Sequence, residues 1–573
     1  MCTCFMDIKT NARRRKNHMK TYLLSALLLF PLFFIACKNE NDGGDGGEEN
    51  TEEAKKKISK RDKSISISNS YSTLFLDSLA LEAYLAEKKI PDSISRRMRS
   101  FYNTRNYQYA WFSGDGLTEQ ARGFWNLHDY HTSYVKDSSL SDKALTKRMD
   151  ALIAEEELSV NASNKSILNT EIQLTQHFIH YMRKEYEKGF VKRKEMERFV
   201  PYKKRSALEI ADSIIKKKHK DDKYFEDVNM RYGALKQHLN RYYNIVAKGG
   251  WPSISIAGKS LKKGKTAAAV LQLKKQLQMT GDLAGTDSSQ VFNDTLEMAV
   301  KNFQIRHGYT PDGVVGSGLI KELNVPAATR LQQILMNMER MRWMPNQPKS
   351  DNLIVVNIPE FELHMYERDK IVWSMNVVVG KEGHNTMMFT GDLNQVVFSP
   401  HWNVPESIVK DEILPAIEKN PDYLAIQNME IVKHEGEYPT IRQLPGGKNA
   451  LGNVKFLFPN SFDIYFHDTP AKSLFSMDKR AYSHGCIRLS NPEKMVTYLL
   501  RHQPEWTPEK IYEAMNAGEE KFVRVKKPVP VFISYNTAWA DENGQLNFRE
   551  DIYGHDKKLA KKMFNQPEMM ANR

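Results

Sequence analysis

The spacing of apolar residues changes along this chain, and each change predicts a different kind of structure. From about residue 71 to 250, apolar positions recur with a period near 3.6, most clearly in residues 167–186 and 230–246. That period places apolar side chains along one face of a helix. The region is therefore predicted to be a helical domain, with the aromatic run of residues 101–112 in its core.

Three shorter helices are predicted next, between residues 267 and 326. Val270, Leu273 and Leu277 give the first an apolar face, and Gly281 is expected to end it. The second helix has Phe292, Thr295, Ala299, Val300 and Phe303, and the third has Leu319 and Leu323. One further helix, residues 328–344, is predicted to connect this compact unit to the rest of the chain.

After Pro345 the period changes to two, which is typical of strands. Residues 353–358, 361–366 and 371–380 alternate in this way, so a β-rich domain is expected to begin near Asn352. Residues 402–405 open a helix through Ile408 and Leu414, and a loop-rich piece is expected from there to about Gly452. An insertion of this length between strands is either an active-site cover or a plain surface excursion.

The start of the chain is typical of an export signal. An apolar run of about 15 residues, 22–36, is short for a membrane span and follows several basic residues. It ends at Ala36, and the Cys37 directly after it resembles the lipobox cysteine of bacterial lipoproteins, which receives the lipid and becomes the mature N-terminus. An uncleaved N-terminal anchor is the alternative. Residues 38–70 are polar and charged, so they are predicted to be a solvated tether.

The charge and the cysteine content argue against two classes of protein, those that bind nucleic acid and those held together by disulfides. The formal net charge of +13 comes largely from Lys and Arg scattered over the helical region, for example in residues 216–220. No basic stripe alternates with aromatic residues, so nucleic-acid binding is not expected. Of the four cysteines, only Cys486 lies in the globular part, which excludes a disulfide framework. The His and acidic residues show no metal-ligand spacing, so no metal or cofactor is expected.

The candidate chemistry lies around Cys486, in the run Ser-His-Gly-Cys-Ile-Arg at residues 483–488. A cysteine nucleophile needs a base and donors aimed at the oxyanion that forms on attack. His484 lies two residues before the thiol, and His467 lies 19 residues before it on a predicted strand. Spacing alone does not decide between the two histidines. The alternative for a lone cysteine is a buried structural residue.

This pattern resembles the L,D-transpeptidase family with the YkuD fold, whose motif is a histidine on a strand followed by Ser/Thr-His-Gly-Cys-x-Arg or Asn. Residues 304–316, with Phe-Gln, His-Gly and Pro-Asp-Gly-Val-Val-Gly signatures, resemble a three-helix peptidoglycan-binding module. Other segments are similar to the large YcbB-like branch of the family: 109–112, 250–252, 402–405, 442–446, 449–452, 456–460 and 467–470.

The resemblance implies a multidomain α+β protein with a helical N-terminal scaffold, a three-helix module and a β-rich catalytic domain that carries a cap. The expected segments are a lipoprotein signal peptide with its lipobox (1–37), a disordered tether (38–70), the scaffold (71–266), the peptidoglycan-binding-like module (267–326), a connecting helix (327–351), the catalytic domain (352–535, cap about 405–452) and a C-terminal tail (536–573).

Residue roles follow from the same resemblance. Cys486 would be the nucleophile and His467 the general base and acid. His484 and Gly485 would shape the nucleophile loop, and backbone N–H groups near Gly485 and Cys486 would bind the oxyanion, assisted by the Tyr465 hydroxyl.

Five further positions carry weaker expectations. Arg488 would either fix the loop through a salt bridge, the favoured alternative, or contact a substrate carboxylate. Trp402, Asn449 and Ser483 are candidate substrate contacts, and Cys37 is the candidate lipidation site.

The implied activity is acyl transfer on peptidoglycan stem peptides, giving 3→3 cross-links through a cysteine thioester, with carbapenems as expected inhibitors. The implied location is the cell envelope, with the chain anchored by lipid and facing the periplasm. Three alternatives stay open: an L,D-carboxypeptidase that uses water as acceptor, an ordinary cysteine peptidase, and a non-catalytic lipid-anchored protein that binds the wall.

Overall fold

The computed structural model describes residues 57–134, 138–155, 158–185, 196–197, 199–216, 230–344, 351–368, 370–434 and 436–567. The predicted signal peptide, Cys37 and residues 38–56 of the predicted tether lie outside these ranges. Within the described ranges, no helix combines the length and the apolar character that crossing a membrane requires.

The N-terminal region is helical, as predicted. Its helices are α1 (Ser78–Glu87), α2 (Asp92–Asn103), α3 (Glu119–Tyr134), α4 (Lys143–Ala154), α5 (Lys165–Glu185), α6 (Ala207–Ile215) and α7 (Met230–Ala247). A two-stranded ribbon, β1 (Phe112–Ser113) and β2 (Gly116–Leu117), joins α2 to α3. The predicted aromatic core is confirmed: Trp111 is fully buried, and its ring centroid lies 5.3 Å from those of Phe124 and Phe178.

The last part of the predicted tether, residues 57–70, is packed against this domain rather than solvated. Ile65 is 1% exposed, and Asp62 N donates to Asn103 O at 2.9 Å. Ser59 Oγ donates to the carboxylate of Glu197 at 2.6 Å. The composition of this segment is polar, but single buried side chains and backbone hydrogen bonds suffice to order it.

The three-helix unit forms as predicted, with its own apolar core. It consists of α8 (Ala268–Thr280), α9 (Asp294–Arg306) and α10 (Ser317–Leu323). Gly281 ends α8 with φ of 87°, a left-handed conformation that glycine adopts without steric cost.

Helix α11 (Ala327–Met341) is more than a connector, because it is buried along almost its whole length. The prediction that residues 536–573 form a C-terminal tail is wrong, because side chains from this segment are also buried. The segment forms β15 (Ala538–Ala540), β16 (Leu546–Phe548) and α16 (His555–Met563), and these pack with α11 and the scaffold in one core. The side chain of Asn337 on α11 contacts Thr537 through two hydrogen bonds, of 2.7 and 2.9 Å.

The predicted β-rich domain is built on a nine-stranded sheet in the order β12-β5-β13-β11-β10-β6-β14-β3-β4. Its strands are β3 (Asn352–Asn357), β4 (Glu362–Glu367), β5 (Lys370–Gly380), β6 (Thr390–Phe398), β10 (Val454–Leu457), β11 (Phe466–His467), β12 (Ala481–Ser483), β13 (Ile487–Leu489) and β14 (Lys521–Ser534). Strand β4 also pairs with β5, so the sheet closes on itself. Helices α14 (Pro492–Leu500) and α15 (Pro508–Asn516) pack on its apolar face.

The cap is more ordered than the loop-rich piece expected from the sequence. A helical stretch of three pieces, Glu406–Ile408, Val409–Ile413 and Leu414–Lys419, is here called α12, and α13 spans Tyr423–Ile426. Strands β7 (Trp402–Asn403), β8 (Met429–Lys433) and β9 (Thr440–Gln443) form a separate sheet in the order β7-β9-β8. A small core, with Val409, Ile413 and Ile441 among its members, holds the cap together. The predicted multidomain α+β architecture is confirmed.

Candidate active site

The register of two neighbouring strands brings the candidate residues together. Strand β11 pairs with β13 in parallel, with His467 opposite Arg488, and Ile487 N donates to Tyr465 O at 3.1 Å. Directly paired residues on neighbouring strands point to the same face, and so do residues two apart on one strand. His467, Arg488, Tyr465 and Cys486 therefore share one face of the sheet.

The opposite face of the same strands is the apolar core. Phe466, Ile487 and Leu489 are each 0% exposed and alternate with the four residues above. This alternation of polar and apolar positions fixes the register, because a slip by one residue would bury the imidazole and the guanidinium in the core.

His467 is held in one tautomer by the backbone. Its Nδ1 lies 2.5 Å from Asp468 O, so Nδ1 carries the proton and Nε2 keeps a free lone pair. Burial, and then the positive charge of Arg488, lower the pKa of His467 to about 3. The imidazole is therefore neutral at physiological pH, and its Nε2 is unprotonated.

Asp468 itself points away and acts structurally. Its carboxylate accepts a hydrogen bond from Asn453 N at 2.9 Å and pairs with Lys472. As the strand neighbour of His467, Asp468 points to the opposite face and does not orient the imidazole through its carboxylate.

Burial favours the protonated form of the Cys486 thiol. Its Sγ lies 3.7 Å from Asp463 O, and the side chain is only part-exposed. Burial raises the pKa of Cys486 to about 11, against the opposing effect of hydrogen bonds from Tyr465. Burial, and next the neighbouring sulfur, also raise the pKa of Tyr465, so its hydroxyl stays a donor. The site holds a neutral thiol beside a neutral imidazole, rather than a preformed thiolate.

The nucleophile loop is fastened by hydroxyl groups. Ser483 Oγ donates to Cys486 O at 2.5 Å and accepts from Gly485 N at 3.2 Å, and Thr386 Oγ1 donates to Gly485 O at 2.7 Å. Gly485 has φ of 111°, which a residue with a Cβ rarely adopts. Ser483 is 1% exposed, so the expected substrate contact by Ser483 is wrong and its role is to hold the loop.

Only one of the two expected backbone donors is available for an oxyanion. The N–H of Gly485 is used by Ser483, whereas the N–H of Cys486 has no acceptor among the described residues. The Cys486 N–H and the Tyr465 hydroxyl therefore remain as the donors beside the thiol.

His484 faces the cap and not the thiol. Its Nε2 lies 2.8 Å from the carboxylate of Glu412 on α12, and its ring packs edge-to-face with His384 at 4.8 Å. This contact and the register of β11 leave His467 as the imidazole on the sheet face that carries Cys486. The sequence analysis missed Glu412 and Thr386, because each reaches the loop from a segment distant in sequence.

Arg488 makes no ion pair within the described part of the chain. Its Nε is buried without a hydrogen-bond partner there, and the side chain lies beside His467 and Cys486. The favoured expectation, a salt bridge that fixes the loop, is therefore wrong. The guanidinium faces the reacting groups and supplies positive charge to them.

The two cap-side candidates differ. Asn449 is 1% exposed, and its amide spans the base of the cap, donating to Pro400 O and Leu444 O at 3.0 Å each. This burial contradicts a substrate contact. Trp402 is part-exposed, pairs with Gln443 and packs on the cap core, so its contact with substrate stays a prediction.

One group of possible metal ligands occurs among the described residues, away from the thiol. Glu360, Glu362 and His364 offer ligand atoms within 4.8 Å of one another. His364 already pairs with Glu360 at 3.2 Å, and the positive charge of Arg549 acts on both carboxylates. Protein charges therefore already compensate these acids.

Comparison with known proteins gives three matches to family models. Residues 351–531 match the YkuD model, described as "L,D-transpeptidase catalytic domain". Residues 96–239 match a model described as "Scaffold domain", and residues 266–323 match one described as "Putative peptidoglycan binding domain".

Individual relatives are similar over part of the chain. A protein of Haemophilus influenzae named "Putative L,D-transpeptidase" is 31% identical over 243 residues, which are 40% of this chain and 49% of that protein. This chain thus matches about half the length of that curated relative.

Two solved structures illustrate the structural matches. An L,D-transpeptidase from Xylanimonas cellulosilytica is 14% identical, covers 49% of this chain and 99% of its own, and has a TM-score of 0.16. L,D-transpeptidase 3 from Mycobacterium tuberculosis, in complex with a faropenem-derived adduct, is 14% identical, covers 32% and 60%, and has a TM-score of 0.17. TM-scores this low carry no argument about this chain.

The residues that match the catalytic-domain model, 351–531, include the site that the register of β11 and β13 brings together. The three models follow one another in the order expected from the sequence: scaffold, peptidoglycan-binding domain, catalytic domain. Residues 351–531 of this chain are thus similar to the YkuD L,D-transpeptidase catalytic domain.

Proposed function

We propose that this protein is a peptidoglycan L,D-transpeptidase that forms 3→3 cross-links through a thioester on Cys486. The observation that carries the proposal is the shared sheet face of Cys486, Tyr465, His467 and Arg488. The thiol can serve as nucleophile, the tautomer-fixed imidazole as base, and the phenol and guanidinium as groups that stabilise an oxyanion.

The first half-reaction begins from the neutral pair. As the sulfur of Cys486 attacks the carbonyl of the third stem residue, the S–H proton moves to Nε2 of His467, and a C–S bond forms. The carbonyl oxygen becomes an oxyanion, stabilised by the Cys486 N–H, the Tyr465 hydroxyl and the charge of Arg488. Collapse of this intermediate expels the terminal D-Ala amine, which takes the proton from His467.

The second half-reaction reverses the proton path. The side-chain amine of a neighbouring stem attacks the thioester, and His467 Nε2 takes a proton from it. The C–S bond breaks, and the sulfur leaves as a thiol that recovers its proton from His467. A new amide bond joins the two stems, so the enzyme returns to its starting state.

One product assay distinguishes this reaction from its alternatives. Disaccharide-tetrapeptides are incubated with the protein, and the products are weighed by mass spectrometry. Cross-linked dimers that have lost D-Ala support the transpeptidase, tripeptides alone support the carboxypeptidase, and unchanged substrate supports a binding protein.

Variants test the named residues in the same assay. Cys486→Ala should abolish product, and His467→Ala should reduce turnover by at least about 100-fold. His502→Ala is the matched control, because this histidine is exposed and lies in the turn between α14 and α15. Full activity of Cys486→Ala would refute the thioester. Mass addition of a carbapenem to wild type but not to Cys486→Ala would support it independently.

We further propose that the protein is anchored by lipid at Cys37 in the cell envelope, facing the periplasm. The apolar run and the cysteine after Ala36 motivate this location. In cells fed labelled palmitate, the wild-type protein should carry label and Cys37→Ser should not. Equal labelling of the two would refute lipidation at this residue.

A further inference from the structure

The catalytic face of the sheet continues beyond the thiol as a row of side chains. Strands β10 and β11 are antiparallel, with Lys455 opposite His467 and Phe456 opposite Phe466. The same register places Leu457, the next residue of β10, opposite Tyr465. Leu457 is paired with Gln395 on β6, and Gln395 is paired with Arg524 on β14. Because paired residues share a face, this row of five side chains runs Cys486, Tyr465, Leu457, Gln395, Arg524.

The whole row is accessible. Cys486, Tyr465, Leu457 and Gln395 are part-exposed, and Arg524 is exposed. Phe522, two residues before Arg524 on β14, is 56% exposed. Because residues two apart on a strand point to the same face, the Phe522 ring adds apolar surface beside the row.

The polar members at the far end of the row have no protein partner. Within the described part of the chain, the side chains of Gln395 and Arg524 make no hydrogen bond or ion pair. The next row on the same face differs, because Lys455 is tied to His401 O and to Glu520. The Gln395 amide and the Arg524 guanidinium can therefore bind a ligand, and they lie in the same row as Cys486.

We propose that this row is the binding track for the acyl-donor stem, and that Arg524 takes a carboxylate upstream of the reacting carbonyl. The proposal rests on the proposed transpeptidase function. Four strand spacings of about 4.8 Å give a track of about 19 Å. The three stem residues that end at the reacting carbonyl span about 10 Å when extended, and the long side chain of Arg524 reaches back over part of the remainder.

The chemistry along the track fits an acidic peptide. Tyr465 and Cys486 face the reacting carbonyl, Leu457 offers apolar contact to a side chain, and Gln395 donates to and accepts from a peptide group. Arg524 can bind a carboxylate with two parallel hydrogen bonds. A carbapenem is too short to reach this end of the track, so acylation by a carbapenem should not depend on Arg524.

The test uses the full chain and two peptides. Arg524→Ala should raise KM for disaccharide-tetrapeptide about tenfold while kcat changes less than twofold, and Arg524→Lys should recover part of the loss. With a tetrapeptide whose upstream carboxyl is amidated, wild type and Arg524→Ala should become equal. Lys527→Ala, an exposed cation on the same strand, is the control and should change nothing.

A binding measurement separates this proposal from the proposed function. Calorimetric titration of Cys486→Ala with tetrapeptide reports binding without turnover, and adding Arg524→Ala should weaken binding about tenfold. Unchanged KM and unchanged binding would overturn the track. Lack of turnover and of carbapenem acylation in wild type, with binding that still depends on Arg524, would overturn the transpeptidase and leave the track standing.

Discussion

The neutral thiol at Cys486 makes a quantitative prediction about its reactivity. With a pKa of about 11, about one thiol in a thousand is ionised at pH 8. An ordinary cysteine with a pKa of about 8.5 is ionised to about a quarter at the same pH. The more basic thiolate is more nucleophilic by about tenfold, since reactivity rises with pKa. Cys486 should therefore react with iodoacetamide about 20-fold more slowly than a free cysteine at pH 8.

The assay is the alkylation rate of the Cys486 peptide, followed by mass spectrometry between pH 6 and pH 11. The rate should climb about tenfold per pH unit up to about pH 10, because each unit multiplies the thiolate tenfold. Arg488→Met should slow alkylation further at every pH, since loss of the cation disfavours the thiolate, and Arg488→Lys should restore part of the rate. A rate that is flat from pH 6 to pH 8 would show a preformed thiolate–imidazolium pair and refute the reasoning.

Three further outcomes are expected. Ser483→Ala removes both hydrogen bonds that hold the loop at Cys486, so it should lower the free energy of unfolding by about 1–3 kcal/mol and slow carbapenem acylation; an unchanged denaturation midpoint would argue against this role. Glu412→Gln should lower the pKa of His484, which the carboxylate raises, and an NMR titration that shows no shift would contradict the contact. Burial, and next the charge of Arg340, lower the pKa of His555 to about 3, so only the unfolded chain binds its proton below about pH 6.5. This contribution to stability is complete above pH 6.5 and is lost as pH falls toward 3. The cost of His555→Gln should therefore shrink by about 1.4 kcal/mol between pH 7.5 and pH 5.5, as measured by chemical denaturation.

The sequence predicted correctly those elements whose structure depends on neighbouring residues in the chain. The helices of the scaffold, the end of α8 at Gly281 and the first strands of the catalytic sheet follow from periodicity and turn chemistry. Local sequence left two histidines equivalent, because only the pairing of β11 with β13 places His467 in line with Arg488. Strand register is a non-local property, so it could not be derived from spacing.

The predictions that were wrong also depended on contacts between residues that are distant in sequence. Asn449 and Ser483 are polar residues near the motif, and their burial depends on the cap and the loop that close over them. The salt bridge expected for Arg488 required a carboxylate partner that no local pattern could place. The predicted tail, 536–573, looks polar overall, but α16 turns Leu559 and Met563 toward a core whose other residues lie hundreds of positions away.

Strands β15 and β16 and helix α16 pack against the scaffold, and this packing affects how the chain folds during its synthesis. Arg205 N donates to Met563 O, and Asp556 pairs with Arg340, so residues near the end of the chain complete a core begun near residue 71. A polypeptide synthesised from its N terminus cannot finish that core before residues 538–564 have emerged. Until then the aromatic interior lacks part of its cover, so the nascent chain must be shielded from aggregation until this segment has been made.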